Sequence, residues 1–197
     1  MNACQLFLIR HAPVHAEMIE NIVNKVTDAQ ACCSPAKDIN TIAWLLWHMA
    51  RGDDIAVNRF VAHRSQLFFE EAWAERLNVP CFDFGVEMTA EEVGELSARV
   101  NLPALIAYWI AVEKRTRSIV EKLSPEDLDE VNDSDYVRQV VREDGMFREA
   151  GMWGEDYWVE MPDRSKRFFL GYMGLTHNWL HYGEASVTLS LLRLSDR

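Results

Sequence analysis

Near its C-terminal end the chain reads Leu175-Thr176-His177-Asn178-Trp179-Leu180-His181-Tyr182-Gly183-Glu184. Two histidines four residues apart lie on one side of a helix, roughly 6 Å apart along its axis. The helical period places Leu170, Met173, His177, Leu180, His181, Glu184, Thr188 and Leu191 on one face, apolar at both ends and polar in the middle. Imidazoles and a carboxylate within a buried stripe each need a partner, and a metal ion would partner both imidazoles at once. His48 has the same character on a second predicted helix, Thr41 to His63, where Trp44, Leu45, His48, Gly52, Ile55, Arg59 and Ala62 share a face. Gly52, one turn on, leaves space near the His48 ring. Three protein nitrogens leave a coordination position for water or substrate, as catalytic rather than structural metal sites do. Imidazole suits zinc, nickel, iron and copper, and the residues do not choose among them. Glu184 shares the face of His181 and is the candidate catalytic carboxylate, either orienting a ligand or acting as a base. A bare pair at this spacing also occurs in ordinary helices, so the competing reading is three core histidines hydrogen-bonded to one another.

The elements that must position these residues are four long helices. The first is expected from about Phe7 to Ala31, with Met18, Ile22, Val26 and Ala29 at helical spacing. His11 and His15 flank Pro13 there and read as surface histidines near a frayed start, able at most to line the mouth of a site formed elsewhere. Asn40 is the expected N-cap of the second helix. Asp53 and Asp54 point away from His48 on the wheel and read as solvated. Thr89-Ala90-Glu91-Glu92 is a capping box opening a short helix. Pro103 suits the first position of the third long helix, whose stripe Leu105, Trp109, Val112, Thr116, Ile119 and Leu123 reads as pure core, with Arg115 and Arg117 in solvent. Val137 to Arg142 fits a strand or a helix equally. The segment from Asn132 to Lys166 is either a lid over a pocket or a flap packed for stability. The fourth long helix is expected from about Asp163.

The whole chain of 197 residues fits one domain, 1–197, with a sizeable core. The formal net charge of -11 disfavours nucleic acid and anionic membrane as partners. The longest strongly apolar stretch, Ile42 to Ala50, is too short to span a bilayer. Cys4, Cys32, Cys33 and Cys81 show no paired spacing, which with no secretory signal reads as reduced thiols and a cytoplasmic location. Tyr172, Trp179 and Tyr182 lie opposite the histidines on the wheel, too apolar to be simply solvated; they imply a homodimer or cover by the Asn132–Lys166 segment. Four long helices make the fold class all-α, a four-helix bundle.

Ile42-Ala43-Trp44-Leu45-Leu46-Trp47-His48-Met49-Ala50 followed by Asp53-Asp54, paired with His177-x-x-x-His181-x-Gly183-Glu184, resembles the DinB superfamily, which includes thiol-dependent transferases similar to mycothiol-dependent maleylpyruvate isomerase and bacillithiol transferase. The resemblance covers most of the chain, loosely in the middle third. It implies an up-down-down-up bundle with a long crossover connection and a divalent metal, zinc or nickel, on His48, His177 and His181. Many relatives have Gln where this chain has Glu184, a change that adds negative charge near the metal. Three functions follow. The first is a metal-dependent thiol transferase acting on a small molecule, with a low-molecular-weight thiol as co-reactant and Trp44, Trp47 and the aromatics of Met152 to Trp158 walling its pocket. The second is a hydrolase using metal-bound water with Glu184 as base. The third is a non-catalytic stress-related binding or scaffold protein.

Overall fold

In a computed structural model of the chain, residues 1–79 and 81–195 are described, and their regular structure is helical, with no strand among them. The longer helices are α1 (Ala3–Glu17), α2 (Ile42–Ile55), α3 (Ala90–Arg99), α4 (Leu102–Val120), α5 (Ser134–Glu143), α6 (Trp153–Glu160) and α7 (Asn178–Ser195). The α1 helix packs against α4 and the C-terminal rod, and α2 packs against the same two. This is an all-α fold, as expected. No helix among the described residues is long and apolar enough to cross a membrane.

Local chemistry sets the boundaries. Asn2 and Gln5 form a capping box, so α1 starts earlier than its apolar period suggests, and Pro13 sits inside it. The predicted single helix to Ala31 is in fact broken. A π segment, Met18–Ile22, and a short 3-10 turn, Val23–Lys25, follow α1. Thr27 then caps a separate turn, Asp28–Ala31. Thr41, not Asn40, caps α2, its hydroxyl accepting from Trp44 N at 3.0 Å. Past Ile55 the α2 rod widens into a π segment, Ala56–Val61. Thr89 and Glu92 form the expected box at the start of α3. Asn101 caps α4, with Pro103 in its first turn. Ser165 opens the C-terminal rod as Lys166–Phe169, which passes through the π segment Leu170–His177 into α7.

All residues of α2 are buried, Asp53 and Asp54 included. The expectation that these two carboxylates are solvated is therefore wrong: a helix surrounded on all sides has no solvent face for the wheel to find. Arg115 is likewise not simply solvated, since it pairs with Glu70 at 3.0 Å. Val137 to Arg142 is helical, part of α5. The 132–166 segment is tied down at several points. Asn132 donates to the Phe60 and Arg164 carbonyls, both at 3.0 Å, and Arg142 grips Glu155 through two bonds of 2.7 and 3.0 Å.

Candidate metal centre and aromatic cavity

The structure brings His48, His177 and His181 together. Their ring centroids form a nearly equilateral triangle, 4.7 Å from His48 to each of the others and 4.6 Å between His177 and His181. One nitrogen from each lies within 4.8 Å of the other two. His48 comes from the middle of α2, His177 from the last residue of the π segment and His181 from the first turn of α7.

Each ring is held by its surroundings. His48 stacks on Trp44, with centroids 4.6 Å apart and planes at 9°, and on Phe84 at 5.4 Å. Its Nδ1 lies against the Phe84 carbonyl at 2.5 Å. A carbonyl only accepts, so Nδ1 carries the proton and Nε2 presents a bare lone pair. His181 repeats the logic: Nδ1 donates to Glu184 Oε2 at 2.8 Å, which frees Nε2. The other Glu184 oxygen accepts from Asn40 Nδ2 at 2.8 Å. Burial alone would raise the Glu184 carboxyl, but the bonds from His181 and Asn40 outweigh it and hold it below its ordinary value. His177 Nε2 faces the His48 lone pair at 2.9 Å, and His177 Nδ1 is buried without a partner.

Burial, then the charges of His177 and His181, holds His48 well below the ordinary imidazole value. Burial, then His181, takes His177 down to about 3. Both rings are therefore neutral at physiological pH and able to donate lone pairs. Two such lone pairs aimed at each other across 2.9 Å repel unless a proton or a cation lies between them. This donor set fits a divalent metal ion.

The rings form one end of a cavity of about 390 Å³, lined further by Phe84, Phe147, Trp153, Tyr157 and Tyr172. Among the described lining residues there is no Lys, Arg, Asp or Glu. The 132–166 segment is thus a wall of the site. Trp44 and Trp47 are not: Trp44 backs His48, and Trp47 is fully buried in the core. Tyr172 lies not opposite the histidines but in the same cavity, near Tyr157 at 6.3 Å. Leu180 leaves the predicted stripe and is 67% exposed, because the wide turns of the π segment shift the helical phase before it. Gly52 makes room for a different ring from the one expected. A Cβ there would lie 2.8 Å from Met173 Cε and 3.2 Å from His177 Cε1.

Phe84 escaped the sequence reading, which left 81–85 as a loop. Its signal is Asp83-Phe84-Gly85: Gly85 adopts φ of +90° and its amide donates to Asp83 Oδ1 at 2.9 Å. A Cβ on Gly85 would sit 2.7 Å from the Trp47 ring, so only glycine lets this turn press Phe84 onto His48.

His11 and His15, expected at the surface, are buried on α1, with both Nε2 atoms on Asp53 Oδ2 at 2.7 and 2.9 Å. Pro13 does not break the helix, so the two rings share its inner face.

The DinB superfamily model matches residues 13–185. A crystal structure of a conserved protein from Enterococcus faecalis is similar over 98% of this chain and 98% of its own, with a TM-score of 0.71 and 22% identity. At that identity the likeness carries the fold alone. No curated protein matches the sequence significantly. The family match spans far more than half of the residues and includes all three clustered histidines, so the chain belongs to the DinB superfamily.

Proposed function

We propose that this protein is a metal-dependent enzyme of thiol-transferase type, with a divalent cation, zinc or nickel, on His48, His177 and His181. The observation that carries the reading is three imidazoles converging in a cavity walled by aromatic side chains. A cation there would favour the thiolate of a coordinating low-molecular-weight thiol. The cavity volume suits a small molecule. With no charged side chain in the lining, it selects an acceptor whose buried part is apolar or aromatic. Charged portions of the thiol would lie outside. Both Glu184 oxygens accept hydrogen bonds, from Asn40 and from His181, which favours a positioning role over that of a base for metal-bound water. We assign Glu184 to positioning His181.

The test supplies metal-loaded protein with bacillithiol, mycothiol or glutathione and an aromatic electrophile, and follows loss of free thiol. Metal-dependent turnover with one of them is expected. No turnover with any thiol, alongside thiol-independent ester cleavage, would shift the assignment to hydrolysis. Absence of stoichiometric metal from protein purified without chelator would leave the non-catalytic reading.

Two variants probe how the ligands are held. Glu184→Ala removes the acceptor for His181 Nδ1 and is expected to weaken metal binding roughly 10–100-fold, the usual effect of losing a ligand's orienting partner. Glu184→Gln keeps an acceptor oxygen and should lose much less. Gly52→Ala drives a methyl toward the His177 ring. Met173 can swing aside but the imidazole cannot without leaving its partners, so affinity should fall by about 10-fold. Competition against a chelating dye measures both, and unchanged affinity in Glu184→Ala would end the positioning assignment.

A further inference from the structure

The three groups His11, His15 and Asp53 lie apart from the cavity lining and play no part in the reading above. They are 1%, 4% and 0% exposed. Their rings are locked in place: His11 stacks on Phe7 at 5.0 Å, and His15 on Trp109 at 3.7 Å with planes at 16°. Both Nε2 atoms converge on one oxygen, Asp53 Oδ2, at 2.7 and 2.9 Å, while Oδ1 is buried with no hydrogen-bond partner. Two independent N–H donors have both carboxylate oxygens and their lone pairs available to them. Crowding onto one oxygen and orphaning the other is instead how three donor atoms look when they surround a common centre.

Charge points the same way. A carboxylate removed from water needs a compensating positive charge. The ion-pair partners of Asp53 among the described residues are these two histidines, with no lysine or arginine. A divalent cation would neutralise the carboxylate and use both imidazoles as neutral ligands, and the vacant Oδ1 is a further donor beside it.

We propose that His11, His15 and Asp53 form a second site, for a divalent first-row transition cation, that ties α1 to α2. Two imidazoles and one carboxylate suit zinc, cobalt or iron rather than calcium or magnesium. All three ligands are buried between α1 and α2, and only His15 borders a surface cleft, beside Trp109 and Glu113, so we assign this centre a structural role.

The test is metal stoichiometry in the full chain. Protein is stripped with chelator, reloaded with zinc or cobalt(II), freed of loose metal by gel filtration and analysed by elemental mass spectrometry. The expected counts are two equivalents in the wild type, one in His177→Ala, and one in each of His11→Ala and Asp53→Asn, which remove a ligand in two independent ways. The wild-type and His177→Ala counts need neither of these variants to fold. A wild type that holds at most one equivalent, lost in His177→Ala, overturns the second site and leaves the triad standing. Two equivalents retained by both His11→Ala and Asp53→Asn also overturns it. One equivalent kept by His177→Ala but absent from Asp53→Asn supports the second site and counts against the triad.

Discussion

Asp54→Ala is expected to lower the stability of the fold by about 3–5 kcal/mol, the cost of removing one partner from a buried charged network. Asp54 is fully buried. Its Oδ1 accepts from Leu67 N at 2.9 Å and Asn58 Nδ2 at 2.6 Å. Its Oδ2 accepts from Phe68 N at 2.8 Å and the Tyr108 hydroxyl at 2.5 Å, with Arg51 at 3.8 Å. Burial raises the carboxyl above its ordinary value, in spite of Arg51, Tyr108 and the two amides. This one side chain thus joins α2, the 67–70 turn and α4. Alanine leaves the Tyr108 hydroxyl and the Leu67 and Phe68 amides without this acceptor, and takes the buried counter-charge from Arg51, which keeps its bonds to Gln66 and the Phe82 carbonyl. The measurement is urea unfolding, with the midpoint lowered at unchanged slope. For a chain of this size the melting temperature should fall by roughly 6–20 °C. A loss below about 1 kcal/mol would mean that the network is not what holds these elements together.

The second large effect is loss of metal-linked stability and activity in His177→Ala. A ligand present at 100 to 1,000 times its Kd stabilises a fold by about 2.7–4.1 kcal/mol. Under the triad reading, the part of the zinc-induced rise in melting temperature that comes from this centre disappears in the variant, and thiol-dependent turnover goes with it. The metal-free variant should fold as the metal-free wild type does, since His177 is only partly buried and its Nδ1 is already unpartnered. Calorimetry with and without chelator measures the first effect, and the thiol assay the second. Full metal-dependent turnover in His177→Ala would remove the triad from the mechanism.

What could be read from the sequence follows from what periodicity measures. The all-helical class, the Thr89 box, Pro103 and the four-residue spacing of His177 and His181 are local or single-helix signals, and these survive in the structure; that His48 joins the pair is implied by the bundle reading and the family resemblance. The burial of His11, His15, Asp53 and Asp54 does not register on a helical wheel, because it depends on what surrounds the helix. For α2 the sequence did hold a hint: the near-continuous apolar run from Ile42 to Ala50 marks a helix buried all round, and the aspartates that follow inherit that burial. Leu180 was misplaced for a different reason. A wheel assumes constant phase, and the π segments break it. Phe84 and Tyr172 reach the cavity through tertiary contacts that no spacing rule encodes.

The widened stretch from Leu170 to His177 also implies that the last rod is adjusted by residue count rather than by hydropathy. Its hydrogen bonds span one residue more than an ordinary helical turn. Excising a single residue such as Gly171, whose neighbourhood is open, would let the backbone relax to the common helical pitch with no apolar group lost. Every side chain upstream would then be rotated relative to those downstream by about 100°. Such a shortened chain would keep its helicity while Phe169 and Leu170, both buried, turned out of the core they fill, unseating the rod by geometry alone.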